Sequence, residues 1–246
     1  MKGEIIHYSR DALGGILVID YRKHRVMTFD SVFEQSKIDR RRPHRPVHEY
    51  SRAMLLPVAF SQPAHATVLG LGGGVMANAL LHMLPHCQVH AVELRPSVLQ
   101  VAREYFSLPD SANLAVTIGD ARDALGKTPG SSTDLILADM YSSDRMSPAQ
   151  AQREFIRQCS RALSDSGWLA INYHRTPDIN GPLFRKLRGE FAVLLLFKSK
   201  TNNTVIFASK RPFETPHSKD PALLALERTL PIDWRRLMAR VILLTK

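Results

Sequence analysis

From Thr67 onward, short apolar runs alternate with amphipathic stretches, and the last two runs break that rhythm. Phe191–Lys198 and Thr204–Ser209 are separated only by the polar joint Ser199–Asn203. Parallel neighbours need a crossover of about a dozen residues or more, so this pair is predicted to be antiparallel. The strands predicted before it are Thr67–Leu71, Gln88–Leu94, Leu114–Ile118, Leu135–Ala138 (after Thr133 and Asp134) and Trp168–Tyr173. Helices are predicted between them: one ending near Met83, then Pro96–Phe106, Pro148–Leu163 and Gly181–Gly189. Alternation of this kind builds a parallel α/β sheet.

Five parallel strands closed by an antiparallel hairpin make the seven-stranded Rossmann-type sheet of class I methyltransferases. Ahead of it, Glu4–Tyr8, Ile16–Tyr21 and Arg25–Phe29 read as a small β-region turning at Gly14-Gly15. Lys37–Arg45 reads as a charged loop, and Val47–Phe60 as a helix with Met54, Leu55, Val58 and Ala59 on its apolar face. The chain therefore divides into a β-region with its linker over 1–46 and a nucleoside-binding unit over 47–246. Its tail, Pro221–Lys246, reads as one or two helices broken at Pro231.

Composition narrows the function. No run is long and apolar enough for a membrane span, and Met1-Lys2-Gly3-Glu4 does not lead into a signal-peptide core. Cys87 and Cys159 have no metal-like spacing, and the ten histidines show no ligand pattern. A cytoplasmic protein without a metal is expected. The net charge of +10 suggests an anionic partner or simply a basic enzyme, and it disfavours a polycationic substrate. Arg40, Arg41 and Arg42 could meet phosphates of a nucleic acid, but little aromatic interleaving accompanies them, and a solvated loop is the plainer alternative.

Three signals stand at carboxyl ends of successive strands, where open α/β sheets bind ligands. Gly70, Gly72, Gly73 and Gly74 form a strand-to-helix turn that lets backbone pass close to a ligand; a packing turn is the alternative. Glu93 ends the second strand about twenty residues later, where a carboxylate can accept both ribose hydroxyls. Gly119-Asp120-Ala121 follows the third strand, where Asp120 can accept from an adenine amine or cap a helix. The three together point to an S-adenosyl nucleoside.

The run Val68–Gly74, with Val92-Glu93, Gly119-Asp120-Ala121 and Leu137-Ala138-Asp139, resembles the spermidine synthase family and its bacterial spermidine-synthase-like members. The likeness runs from about Ile16 to Phe207 and includes Gln35-Ser36, Glu49–Met54 and Ser142–Ala149. It implies S-adenosylmethionine or its decarboxylated form over the glycine loop, Gln35 near the donor's tail, and Tyr50 in the acceptor pocket. It implies Asp139 as general base on an attacking amine, and a homodimer. Val75 and Arg52 stand where aminopropyltransferases carry acids that hold cationic groups, and Arg95 makes the rim more basic.

Asp139 also earns a role from its place after an apolar strand, within reach of an acceptor amine. Tyr141 can wall the acceptor, and Asp144 can supply a second carboxylate or remain a solvated loop charge. The reading is a transferase passing the methyl or alkyl group of an S-adenosyl donor to an amine-type small molecule. A genuine polyamine aminopropyltransferase, with Asp144 or Glu34 restoring the lost charge, and a non-catalytic nucleoside-binding protein are the alternatives.

Overall fold

The computed structural model describes residues 3–30, 33–141, 153–212 and 217–244. Asp144 and the start of the helix predicted from Pro148 lie outside the described residues. Two sheets organise the rest. The first is an antiparallel meander of β1 (Glu4–Asp11), β2 (Gly14–Asp20), β3 (His24–Phe29), β4 (Glu34–Asp39) and β5 (Arg42–Pro46), paired in chain order. The last two strands replace the charged loop predicted over Lys37–Arg45. Arg40 and Arg41 form only their turn, where Asp39 Oδ1 accepts from the Arg41 backbone N–H at 2.8 Å. β5 is an edge strand, and edges tolerate charge and proline.

The second sheet has eight strands. They are β6 (His65–Leu69), β7 (Gln88–Glu93), β8 (Leu114–Ile118), β9 (Thr133–Ala138), β10 (Leu163–Tyr173), β11 (Val193–Lys198), β12 (Thr204–Ser209) and β13 (Val241–Leu244). Their order is β13-β11-β12-β10-β9-β6-β7-β8. From β8 to β10 every pairing is parallel, and β12 runs antiparallel to both β10 and β11. The seven-stranded pattern is therefore present, with β13 added antiparallel to β11. That added strand corrects the helical tail: α8 (Pro221–Thr229) and α9 (Trp234–Met238) are followed by a strand.

The remaining helices are α1 (Glu49–Met54), α2 (Val58–Ser61), α3 (Val75–Met83), α4 (Pro96–Tyr105), α5 (Ala121–Lys127), α6 (Arg153–Ala162) and α7 (Pro182–Glu190). The helix predicted over Val47–Phe60 is two, because Pro57 has no N–H to continue the first. Among the described residues, no helix is long and apolar enough to cross a membrane.

Strand periodicity splits the core between two faces of the large sheet. Leu135, Leu137, Trp168 and Ala170 pack on one face, with Leu80 of α3 and Trp234 of α9. Ile136, Ala138, Leu169 and Ile171 pack on the other, with Ile156 of α6 and Phe184 of α7. A third cluster sets Ile16, Val18, Met27 and Ile38 of the meander against Val98, Val101 and Phe106. Burying each such large side chain stabilises by roughly 1.5–3 kcal/mol, so the meander is held as a wall over the carboxyl ends of β6 and β7.

Candidate active site

The loop after β6 shows what its glycines do. Gly70 has φ 89°, and a side chain there would strike the Asp139 carbonyl. Gly72 has φ 52° and faces Ser36. The Gly73 N–H donates to Ser36 Oγ at 2.7 Å, tying the loop to β4. A Cβ on Gly73 would lie 2.7 Å from Phe106, and one on Gly74 would lie 2.6 Å from Leu108. Gly70 and Gly72 line the cavity described below, whereas Gly73 and Gly74 turn from it into packing.

That cavity has a volume of about 1510 Å³. Pockets for a single drug-sized ligand span about 300–1,000 Å³, so it has room for two small molecules side by side. Gln35, Tyr50, Gly70, Gly72, Glu93, Asp120, Ala121, Asp139 and Tyr141 all line it. Residues far apart in the chain are thus gathered by the carboxyl ends of β6 to β10.

Glu93 is buried, 7% exposed, and its carboxylate is partly occupied. Oε2 accepts from the N–H groups of Leu71 at 3.1 Å and Gly72 at 3.3 Å, and Oε1 from that of Arg95 at 3.0 Å. Burial raises its pKa while these donors oppose the rise. The Leu94 backbone also donates to it, so backbone donors already engage most of a carboxylate's about four lone-pair positions, which does not favour its accepting two ribose hydroxyls at once. Asp120 caps α5: Oδ1 accepts from the Arg122 N–H at 2.8 Å. Its Oδ2 takes the Arg122 guanidinium at 2.7 Å, which holds the Asp120 carboxyl below its usual range.

Asp139 continues β9, and its N–H donates to Leu69 O at 2.9 Å. Its carboxyl is pushed up to about 6, chiefly by burial, against hydrogen bonds from Asn172 and Tyr50. Asn172 Nδ2 donates to Asp139 Oδ1 at 2.8 Å, and Asn203 Nδ2 donates to Asn172 Oδ1 at 3.1 Å. Burial, and then the Asp139 charge, raise the Tyr50 phenol well above its ordinary value and keep it a neutral donor. His48 stacks on Tyr50 with ring centroids 5.6 Å apart, and burial lowers its pKa. Among the described residues, the Tyr141 hydroxyl and His48 Nε2, both buried polar atoms on this lining, have no hydrogen-bond partner, and the nearest acid to His48 Nε2 is Glu34 Oε2 at 3.7 Å. Buried polar atoms are costly to leave unsatisfied, so both are suited to meet a polar ligand.

Two positions differ from the sequence expectation. Arg52 does not line the cavity; its Nε donates to Pro46 O at 2.8 Å. Arg95 lines it but is no free cation. Its guanidinium grips Asp11 at 3.0 and 2.9 Å, donates to Gly14 O and stacks on Phe29. The rim is therefore less basic at that point than the sequence predicts. Val75 opens α3 and lines the cavity. Sequence alone places His48 beside Tyr50 but does not mark Asn172 or Asn203 as partners of Asp139. The available signal for Asn172 is one amide ending the otherwise apolar run Trp168–Ile171.

Comparison with known proteins agrees with this fold. A methyltransferase domain model matches residues 68–167. The polyamine aminopropyltransferase of Vibrio vulnificus is 27% identical over 262 residues, spanning 95% of this chain and 86% of that protein. The enzyme of the same name from Neisseria meningitidis is 32% identical over 142 residues, about half of each chain. The human eEF1A lysine and N-terminal methyltransferase is 27% identical over 206 residues, 74% of this chain and 29% of that one. Among solved structures, a probable spermidine synthase from Corynebacterium glutamicum superposes with a TM-score of 0.77 at 20% identity, covering 92% of this chain and 87% of that one. Fold and comparisons define the class: an enzyme of the class I methyltransferase-like α/β fold. Within that class, the chain is similar to the polyamine aminopropyltransferases, the spermidine synthase group.

Proposed function

We propose that the chain is a transferase that binds an S-adenosyl donor and passes its methyl, or a larger alkyl group, to the nitrogen of a small amine. Asp139 carries this reading: a buried carboxyl, fixed by Tyr50 and Asn172, between the glycine loop and a second polar end of the same cavity. Glu93 would accept from the ribose and Asp120 from the adenine amine, with Gly70, Gly72 and Ala121 against the nucleoside and Gln35 near its tail. The neutral amine attacks the donor carbon, the N–C bond forms as the C–S bond breaks, and the thioether leaves uncharged. The proton released from nitrogen passes to the Asp139 carboxylate, whose raised pKa suits that task near neutrality. Tyr50 and Tyr141 would wall the acceptor, and no metal takes part in this scheme.

A second reading is aminopropyl transfer from decarboxylated S-adenosylmethionine. The aminopropyltransferase likeness over nearly the whole chain favours it. So does Glu34, a carboxylate on the cavity lining 3.7 Å from His48. Val75 weighs against it, because an apolar side chain cannot hold the donor's ammonium.

Calorimetric titration with S-adenosylmethionine, its decarboxylated form and methylthioadenosine separates these readings. Tighter binding of S-adenosylmethionine supports methyl transfer; clearly tighter binding of the decarboxylated donor overturns it. Asp139→Asn should lower turnover by roughly 10²–10⁴ with donor affinity kept. Transfer at full rate in that variant would refute the general base.

A further inference from the structure

We propose that the β10–β12 end of the cavity selects an acceptor carrying a carboxylate beyond its amine, with Arg175 as the selecting residue; this rests on the transferase reading above. The sheet order divides the cavity. Glu93 and Asp120 follow β7 and β8 on one side of Asp139, whereas Arg175 follows β10 on the other.

Charge distinguishes the two ends. Lys37 on the lining is paired with Glu34 at 3.0 Å, and Arg95 with Asp11 at 2.9 Å. Arg175 has no anionic partner among the described residues, yet it lines the same cavity. Among the described residues, the lining carboxylates other than Asp139 come from β4, β7 and the turn after β8. A diamine bound with one nitrogen at Asp139 would set its second ammonium toward a guanidinium, with no carboxylate from β10 or β12 to receive it. An ω-amino acid in the same pose would present a carboxylate to Arg175, whose planar fork matches it in a bidentate pair. The overall charge of +10 acts in the same direction by drawing anions to the cavity. The bond changes at nitrogen stay those given above.

The test uses the full chain saturated with methylthioadenosine and titrated calorimetrically with two series of three to six carbons, ω-amino acids and α,ω-diamines. At least one ω-amino acid is expected to bind about tenfold or more tightly than the diamine of equal length. Arg175→Glu should reverse the order, and Arg175→Lys should keep it in weakened form, each with methylthioadenosine affinity retained. If Arg175→Glu fails to fold, Arg175→Gln should abolish the difference instead. Diamines binding as tightly as or more tightly than the amino acids, neither series binding, or a preference unmoved by Arg175 substitution would each overturn the inference while leaving nucleoside binding intact. Failure of methylthioadenosine itself to bind would instead bring down the transferase reading on which this one stands.

Discussion

Asn172 Nδ2 donates a 2.8 Å hydrogen bond to Asp139 Oδ1 across the parallel pair β10–β9. The donor opposes the effect of burial and holds the carboxyl near about 6. Replacing Asn172 with Leu removes it and also strands Asn203. The Asp139 pKa should rise further, by about one unit or more, since a hydrogen bond to a charged group is worth about 1.5–3 kcal/mol. Asp139 acts as a base only when deprotonated, so activity falls as pH drops through its pKa. The acidic limb of kcat/KM against pH should move to higher pH in the variant, and an unmoved limb would dissociate Asp139 from the limb.

The same burial makes Asp139 a stability cost. Its folded pKa of about 6 lies above the ordinary aspartate value of 3.8. Between those values the folded chain keeps a proton that the unfolded chain has released, so stability declines as pH rises through that window and stays reduced above it. Asp139→Asn removes the titration. It should gain up to about 3 kcal/mol at pH 7.5 and little at pH 4, while losing transfer. Denaturant unfolding at the two pH values checks this.

Asp11 behaves in the opposite sense. The Arg95 guanidinium and the Ser97 hydroxyl hold its carboxyl down at about 2. The stability this supplies is present above the unfolded pKa and is lost as pH falls from about 4 toward 2. Asp11→Asn should therefore be less stable than the parent at pH 7 and should flatten the decline in that acid window. Since Arg95 leads into α4 and Asp11 ends β1, amide exchange in the meander should quicken most.

Much of this architecture is legible along the chain, because period-two apolar runs and short joints survive in one dimension. β8 falls where its sequence places it, and the Ser199–Asn203 joint alone settles the antiparallel pair. What escapes depends on neighbours. β5 carries the arginines and prolines that a central strand would reject, and its edge position explains them, while β4, with its charged residues, is paired on both sides by β3 and β5. β13 is four residues of apolar sequence that become a strand only because β11 offers a free edge. In the site, the spacing of Gly70, Glu93, Asp120 and Asp139 is readable, because strand ends are. The directions of Arg52 and Arg95 are not, because Arg95 is set by a carboxylate distant in sequence and Arg52 by the Pro46 carbonyl that only the turn from β5 into α1 brings near.

Gly70 makes a backbone prediction. Its φ of 89° and its approach to the Asp139 carbonyl leave no place for a side chain. Gly70→Ala should destabilise by about 1–3 kcal/mol and displace Asp139, so that kcat falls together with nucleoside affinity. Gly119→Ala, with open space around its Cβ position, is the matched control and should cost much less.

A crystal structure of the chain with S-adenosylmethionine bound gives the most direct answer. The account expects the ribose at Glu93, the purine at Asp120, and the sulfonium methyl turned toward Asp139 with the β10–β12 end of the cavity still open. A nucleoside seated at Arg175 and Asn203 instead, or a sulfonium carbon directed away from Asp139, would contradict it.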